Sequence, residues 1–324
     1  MIEQFRYYNK KKMVVKGSEK KGVLRNLKPY FPLYLFLFPA ILTVLAFGYL
    51  PMFANIIAFM DYDMLAGWLG LGSKFVGLRW FKSILTDIYF IELIGRTLYY
   101  NAVVLILGIP APFVLALLLN ELRNRVFKRI VQTVSYLPWF VSWVTLAALA
   151  YLFLSVDNSG LVNNIRQLFV HGDRVIFLKD PNNFPIILTL SNIFKGTGWG
   201  SIIYLAAISA LDTQLFDAAR IDGAGRWKQF VHITFPGILP TTVILLIFAI
   251  GSFFSSNFDQ IFNLQNNIIR EETNVIAVYQ FVYGIQDQQY SIAAAVGLFQ
   301  GGVNAVLLVG ANYISRKITQ YGLF

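Results

Sequence analysis

The chain contains no cysteine and only two histidines in 324 residues. Disulfides and thiolate chemistry are therefore excluded, and a histidine-built metal centre has almost no ligands to draw on. Charge is scarce as well: Asp, Glu, Lys and Arg make up 14% of the residues, against 56% hydrophobic ones. With a mean hydropathy of +0.58, the composition excludes an ordinary soluble enzyme. Catalytic signatures are missing too. A phosphate-cradling loop needs Gly-x-x-x-x-Gly-Lys-Ser/Thr ahead of a helix, so that backbone amides and the lysine grip the phosphates. The nearest approach, GWLGLGSKF over 67–75, has Ser73 and Lys74 in the wrong order. Neither HExxH nor GxSxG occurs, and Asp222 and His232 stand too far apart to read as a catalytic pair. The chain is expected to carry no catalytic residue, no metal and no cofactor of its own.

What it has in abundance is apolar length. Six runs, roughly 32–58, 97–119, 131–153, 186–210, 238–256 and 291–314, reach the ~20 residues needed to cross ~30 Å of hydrocarbon. The fold class expected is an all-α polytopic membrane protein with six transmembrane helices. The first run carries Pro39 and Pro51, the second Pro110 and Pro112, the third Pro138. Neighbouring helices accommodate such prolines inside spans. The first run is too long for a cleavable signal peptide and no small-residue cleavage site follows it.

Lys and Arg set the orientation. With the N-terminus inside, the inner segments hold the clusters Lys10–Lys12, Lys20–Lys21, Arg123–Arg129 and Arg316–Lys317 together with Arg220, Arg226 and Lys228. The outer loops, Tyr62–Arg96, Ser155–Pro185 and Asn257–Tyr290, hold fewer basic residues, which is the bias expected between the two sides of a membrane. Both termini are then cytoplasmic. Residues 1–30 read as a basic cytoplasmic arm and 31–324 as one six-span domain. The formal charge of +10 thus marks sidedness in a lipid bilayer; no aromatic-interleaved basic face points to nucleic acid.

Between the fourth and fifth runs lies DAARIDGAGRWKQFVHITFPGILP, Asp217 to Pro240. Two helical runs, Leu215–Ile221 and Arg226–Ile233, flank a break at Gly223-Ala224-Gly225, and Pro236 and Pro240 are expected to close the insert. A hairpin of this kind at a membrane surface suits docking of another protein. Ala218 and Ala219 are small enough to let a helix seat closely, and Gly223 offers a turn. Phe230 and Ile233 lie three apart, placed to anchor the hairpin on the bundle. An Asp222–Arg226 pair would need the helix to run through the glycines.

This stretch resembles the EAA loop of ATP-binding-cassette importer permeases, whose pattern reads EAAxxDGAxxxxxFxxIxLPxxxP. The matching positions are Asp217, Ala218, Ala219, Asp222, Gly223, Ala224, Phe230, Ile233, Phe235, Pro236 and Pro240, with Asp217 for Glu and Phe235 for Leu as the departures. The resemblance implies that 212–240 is a cytoplasmic coupling loop inserting into a cleft of a separate ATPase, in a chain of the bacterial cytoplasmic (inner) membrane. FVGLRWFKSIL (75–85), LLNE ending at Glu121, YLPWFVSW (136–143), IFKGTGWGSIIYLAAI (193–208), FDQIF (258–262) and NYISRK (312–317) are similar to the carbohydrate-uptake branch. The partners implied are a second permease subunit forming a heterodimer, two ATPase subunits carrying ATP and Mg, a periplasmic or surface solute-binding protein, and an oligosaccharide substrate. Acidic saccharides such as alginate oligosaccharides are among the candidates.

Polar groups inside spans mark the candidate substrate pathway. Lys195 heads them, with its readings open: it meets an acidic sugar or a carbonyl dipole in the pathway, or it snorkels or pairs with an acid such as Asp180. Asn257, Phe258, Asp259 and Gln260 at the outer end of the fifth run either suit sugar hydroxyls and pyranose faces or form a helix end emerging into water. Asn192 and Asn304 line the pathway or bond across helices. Trp139, Trp143 and Trp199 are stacking surfaces or interfacial anchors. Gly297-x-x-x-Gly301 reads as close helix packing. Two other classes stay open: an ion-gradient-driven secondary transporter, which should show buried carboxylates or paired repeats, and a non-transporting membrane scaffold.

Overall fold

The computed structural model describes residues 31–66, 70, 72–255 and 257–324. The basic arm expected over 1–30 and Ser256 lie outside the described residues. The chain divides into two compact units, Met1–Ile56 and Ile57–Phe324.

The first unit is built on α1 (Phe31–Val44), which passes into a π-turn over Leu45–Tyr49 and a 3-10 stretch from Leu50. The π-turn ends two residues ahead of Pro51. A proline ring clashes with the carbonyl four residues back, and a wider turn relieves the clash without ending the helix.

The second unit opens with a two-stranded antiparallel ribbon, β1 (Met60–Asp61) and β2 (Lys74–Phe75). α2 (Arg79–Thr86) is fastened to it by Trp80 Nε1, which donates to the Met60 carbonyl at 2.8 Å. α3 (Ile88–Gly108) and α4 (Pro110–Glu121) together form a span of 34 residues. It starts well ahead of the expected residue 97. Asp87 caps α3 by accepting from the Tyr89 amide, and Glu92 pairs with Arg96 at 2.9 Å. A cap and an i,i+4 pair carry the helix through a polar stretch, so Arg96 is inside α3 and not in an outer loop.

The expected third span is not one helix. α5 (Arg125–Phe140) and α6 (Trp143–Phe153) meet at an angle of 100°. Ser142 restarts the chain as the N-cap of α6, accepting from the Thr145 amide at 3.1 Å. α7 (Leu161–Phe169) follows, then α8 (Phe184–Ser209) and α9 (Thr213–Ile221), the last two bent by 67°.

Pro236 and Pro240 do not close the insert, contrary to expectation. α10 (Arg226–Gln229), a π-turn over Phe230–Thr234 and α11 (Phe235–Gly251) make one continuous helix, Arg226–Gly251. Here again the π-turn ends two residues before a proline, Pro236. The 257–290 segment, expected to be an outer loop, is largely helical: α12 (Phe258–Leu264), α13 (Arg270–Thr273) and α14 (Ile276–Phe281) precede the last helix, α15 (Tyr290–Thr319). Its apolar run Val275–Val278 supplies core; Val275, Ile276 and Val278 are no more than 1% exposed.

The described helices thus include four long and apolar enough to cross a membrane, and six if each bent pair counts as one span. Within the second unit, three clusters hold the helices together. One joins Tyr100 and Val104 of α3 to Phe184 and Leu188 of α8 and to Ile261 and Leu264 of α12. A second gathers Phe90, Leu93, Phe254, Ile276, Tyr279 and Val296. The third packs Ala116 and Leu119 of α4 against Tyr204, Leu205 and Ile208 of α8 and Ile238 of α11.

Candidate functional site

The insert folds as a hairpin at the shared end of α8 and α11. Asp212 caps α9 by accepting from the Gln214 amide at 2.9 Å. The far end of α9 is closed by a pair of backbone bonds: Gly223 N–H to the Arg220 carbonyl at 3.1 Å and Ala224 N–H to the Ala219 carbonyl at 2.8 Å. That six-to-one, five-to-two pattern is the Schellman cap, and it needs a left-handed residue just past the helix. Gly223 supplies it, with φ +75°. The Asp-Gly-Ala of the sequence pattern is therefore first of all a helix stop.

The second arm is tied back in two places. Gln229 Nε2 donates to the Ala224 carbonyl at 2.8 Å, and the Arg226 guanidinium pairs with the Glu121 carboxylate at the end of α4. Arg226 thus meets Glu121 and not Asp222; Asp217 pairs with Arg220 at 2.9 Å. Phe230 is placed as an anchor. Its ring stands 6.1 Å from Phe113 of α4, 5.3 Å from Trp227 and 6.2 Å from Phe235. A cavity of about 850 Å³ lies beneath, lined by Glu121, Phe216, Asp217, Arg220 and Arg226 among others. Apolar side chains stand open on the hairpin, where Leu215, Ile221 and Trp227 are 54%, 86% and 74% exposed, among exposed charges such as Asp212, Asp222 and Lys228. Leu215, Ala218 and Ile221 recur every third residue, so they share one face of α9.

Within the spans, most of the predicted pathway residues hold the fold. Lys195 is 9% exposed, and its ammonium donates to the Trp139 carbonyl at 3.0 Å and to the Val141 carbonyl. It lies 5.8 Å from the Trp139 ring centre and 5.2 Å from that of Trp143. The partners of Lys195 are thus carbonyl dipoles, while Asp180 accepts from Asn182. These carbonyls belong to the last turn and cap of α5, where orphan acceptors and the negative end of the helix dipole attract a cation. Gly198, one turn on, lets α8 close onto α5: a Cβ there would stand 1.8 Å from the Ser135 carbonyl oxygen. Trp199 stacks on Trp139, planes 4° apart and centres 5.6 Å apart.

The turn between α11 and α12 is bound by amides. Asn257 adopts φ +64° and donates to Asn101 Oδ1 at 2.7 Å. Asn101 in turn donates to the Phe253 carbonyl, Gln300 to the Phe254 carbonyl, and Asn304 to Ser255 Oγ. Irregular backbone amid the spans survives only when partners satisfy it, and Asn304 accordingly bonds across helices. Gln260 is a correction: placed at an exposed helix end by the sequence, it is fully buried and donates to the Leu188 carbonyl and Ser191 Oγ. Asn192 joins it at 3.5 Å. Asp259 remains exposed. Phe258 packs with Phe262 and Phe281 at 5.4 and 5.3 Å and lines a cavity of about 530 Å³ with Gln280, Tyr290 and Gln300. Sequence reading misses these last three: Gln280 and Tyr290 fall in 257–290, which reads as a loop, and Gln300 falls inside the sixth apolar run. Of the two small residues in the GxxxG run, only Gly297 is closely packed, against Gln280.

The fold defines a class, a polytopic all-helical membrane subunit with a helical hairpin at the end of its spans. The chain belongs to the family of binding-protein-dependent transport system inner membrane components, whose model matches residues 108–320. It is 40% identical over 292 residues to protein LplB of Bacillus subtilis, covering 90% of this chain and 91% of that one. The polygalacturonan/rhamnogalacturonan transport system permease protein YteP of the same organism is 38% identical, covering 96% of each. A chain of the bacterial alginate transporter, crystallised with an alginate-pentasaccharide-bound periplasmic protein, superposes with a TM-score of 0.83 at 36% identity, over 93% of this chain and 99% of that one. The chain is thus a permease component of an importer; the secondary-transporter and scaffold readings fall away.

Proposed function

We propose that this chain is one of two unlike membrane subunits of an ATP-driven importer for acidic oligosaccharides, with its hairpin seated on a cytoplasmic ATPase. The observation that carries the coupling role is the open apolar face Leu215–Ala218–Ile221 on a helix stopped by a glycine cap. A surface so exposed is costly in water and suits a groove in a partner. ATP and Mg belong to that ATPase. The hairpin side and both termini are cytoplasmic in this reading.

Movement would travel along rigid elements. Arg226–Gly251 is one helix of 26 residues, roughly 39 Å at ~1.5 Å per residue. It leads from the docking face to the amide-bound turn beside Phe258. Closure of the ATPase would tilt this lever, while the Glu121–Arg226 pair draws α4 along. The saccharide, delivered by a solute-binding protein, would pass the Phe258 cavity, where aromatic faces and glutamine amides suit sugar rings and hydroxyls. Trp139, Trp143 and Trp199 would form a second aromatic wall, with Lys195, Asn192, Gln260 and Asn304 fixing the helices around it.

Support for an acidic cargo comes from the relatives, whose names specify polygalacturonan and rhamnogalacturonan in one case and alginate in the other. The test is binding-protein-stimulated ATPase activity of the reconstituted transporter across neutral and uronic oligosaccharides. Stimulation by uronic oligosaccharides is expected. Stimulation by neutral ones alone would overturn the cargo assignment, and uptake on an ion gradient without the ATPase would overturn the importer.

A further inference from the structure

α7 is amphipathic the wrong way round for a helix in water. Leu161, Ile165, Leu168 and Phe169 are 48%, 48%, 77% and 80% exposed, while Asn163 is fully buried. At 100° per residue these four apolar side chains occupy a single arc, with Val162 at its edge, and the polar residues fill the opposite side. The polar side is spent on the chain itself. Asn163 Nδ2 donates to the Ser155 carbonyl at 2.9 Å and the Val175 carbonyl at 3.0 Å, and Asn164 to the Asn158 carbonyl at 2.8 Å. Arg166 donates to the Asp173 carbonyl at 2.9 Å. Arg174 binds the same loop from below through the Val156 carbonyl and Asn164.

These bonds fix two things at once. They turn the apolar arc outward, and they hold α7 to Ser155, the point at which α6 ends. α6 itself finishes with Leu152 and Phe153 exposed at 49% and 43%, so the outward arc continues the apolar surface of a membrane helix. With 9 residues, or roughly 13 Å at ~1.5 Å per residue, α7 is too short to cross a bilayer. A short helix with an apolar arc and a satisfied polar side, fastened at the exit of a span, fits the headgroup–acyl boundary.

We propose that α7 is an interfacial helix, its Leu161–Ile165–Leu168–Phe169 face sunk into the lipid surface on the side where α6 emerges. It anchors the 155–185 segment, and with it the end of the broken span, at a fixed depth. The inference does not depend on which saccharide is carried.

This chain has no native cysteine, so with cysteine-free partner subunits a label marks a single site. Single variants Leu168→Cys, Phe169→Cys and Gln167→Cys, each in the complete transporter, would be spin-labelled in phosphatidylcholine–phosphatidylglycerol vesicles. Collision rates with oxygen and with a water-soluble nickel chelate are then read. The expected result is oxygen access at 168 and 169 with nickel access several-fold below that at 167, unchanged when the binding protein is added. Equal nickel access at all three sites would place the face in water and overturn the proposal. Labels at 168 and 169 shielded from both reagents, or shielded only once the binding protein is added, would place a protein there and overturn it equally.

Discussion

Two breaks in the helical path are held in opposite ways. At Val141–Ser142 the chain turns by 100° between α5 and α6, and the turn is held from a distance: Lys195 of α8 caps the freed carbonyls, Gly198 brings α8 against Ser135, and Trp199 stacks on Trp139. At Asp222–Gly225 the chain turns on local chemistry alone. Gly223 and Gly225 have nothing within 4 Å of where a side chain would begin, and the cap bonds come from the neighbouring backbone. A break amid the spans must have its polar groups satisfied by other elements. A break at a surface can be closed by its own residues, which leaves its face free for a partner. In the proposed function, the difference separates what builds the permease from what another subunit would use.

If that contrast is right, equivalent substitutions should have unequal effects. The largest belongs to Gly198→Ala, whose Cβ would stand 1.8 Å from the Ser135 oxygen. Neither backbone yields easily, so a loss of about 1–3 kcal/mol or more is expected, read as a fall in thermal midpoint and in folded yield from detergent. Lys195→Met comes next. It leaves the Trp139 and Val141 carbonyls without their donor, at a cost of about 1–3 kcal/mol; an unchanged thermal midpoint would mean that Lys195 does not hold the break.

Gly223→Ala is smaller. It forces an alanine into φ +75°, costing about 1–2 kcal/mol, confined to the hairpin and visible as faster amide exchange at residues 219–225. Gly225→Ala, with φ −67° and open space around it, should change thermal stability by less than ~0.5 kcal/mol. The smallest effect is expected for the Arg226–Glu121 pair, whose side chains are 71% and 55% exposed. A double-mutant cycle should give below ~1 kcal/mol of coupling, shrinking with salt.

The sequence carried the hairpin well because its signals are local. Asp212, Gly223 and the two flanking helical runs are each readable from neighbours a few residues away. The six apolar runs were equally plain, since length and hydropathy alone define them. What it carried poorly depended on distant contacts. Val141–Ser142 sits within an unbroken apolar run, and beyond the local Ser142 cap a sharp turn there depends on Lys195, Gly198 and Trp199 of α8. Gln260 looked like a solvated helix end because its acceptors, Leu188 and Ser191, lie far back in the chain. The prolines mislead for a different reason: Pro236 has the form of a stop, whereas a π-turn just ahead of it lets the helix continue. The run Val275–Tyr283 was apolar enough to signal burial, yet too short to be read as a span.

The coupling role of the hairpin is the central claim, and Ala219→Glu tests it most directly. In proteoliposomes holding the complete transporter, saccharide uptake and binding-protein-stimulated ATP hydrolysis would be measured alongside the amount of the variant inserted. A charged side chain on α9 should leave insertion at the wild-type level, weaken ATPase association and abolish uptake. Wild-type ATPase association and uptake in that variant would contradict the account.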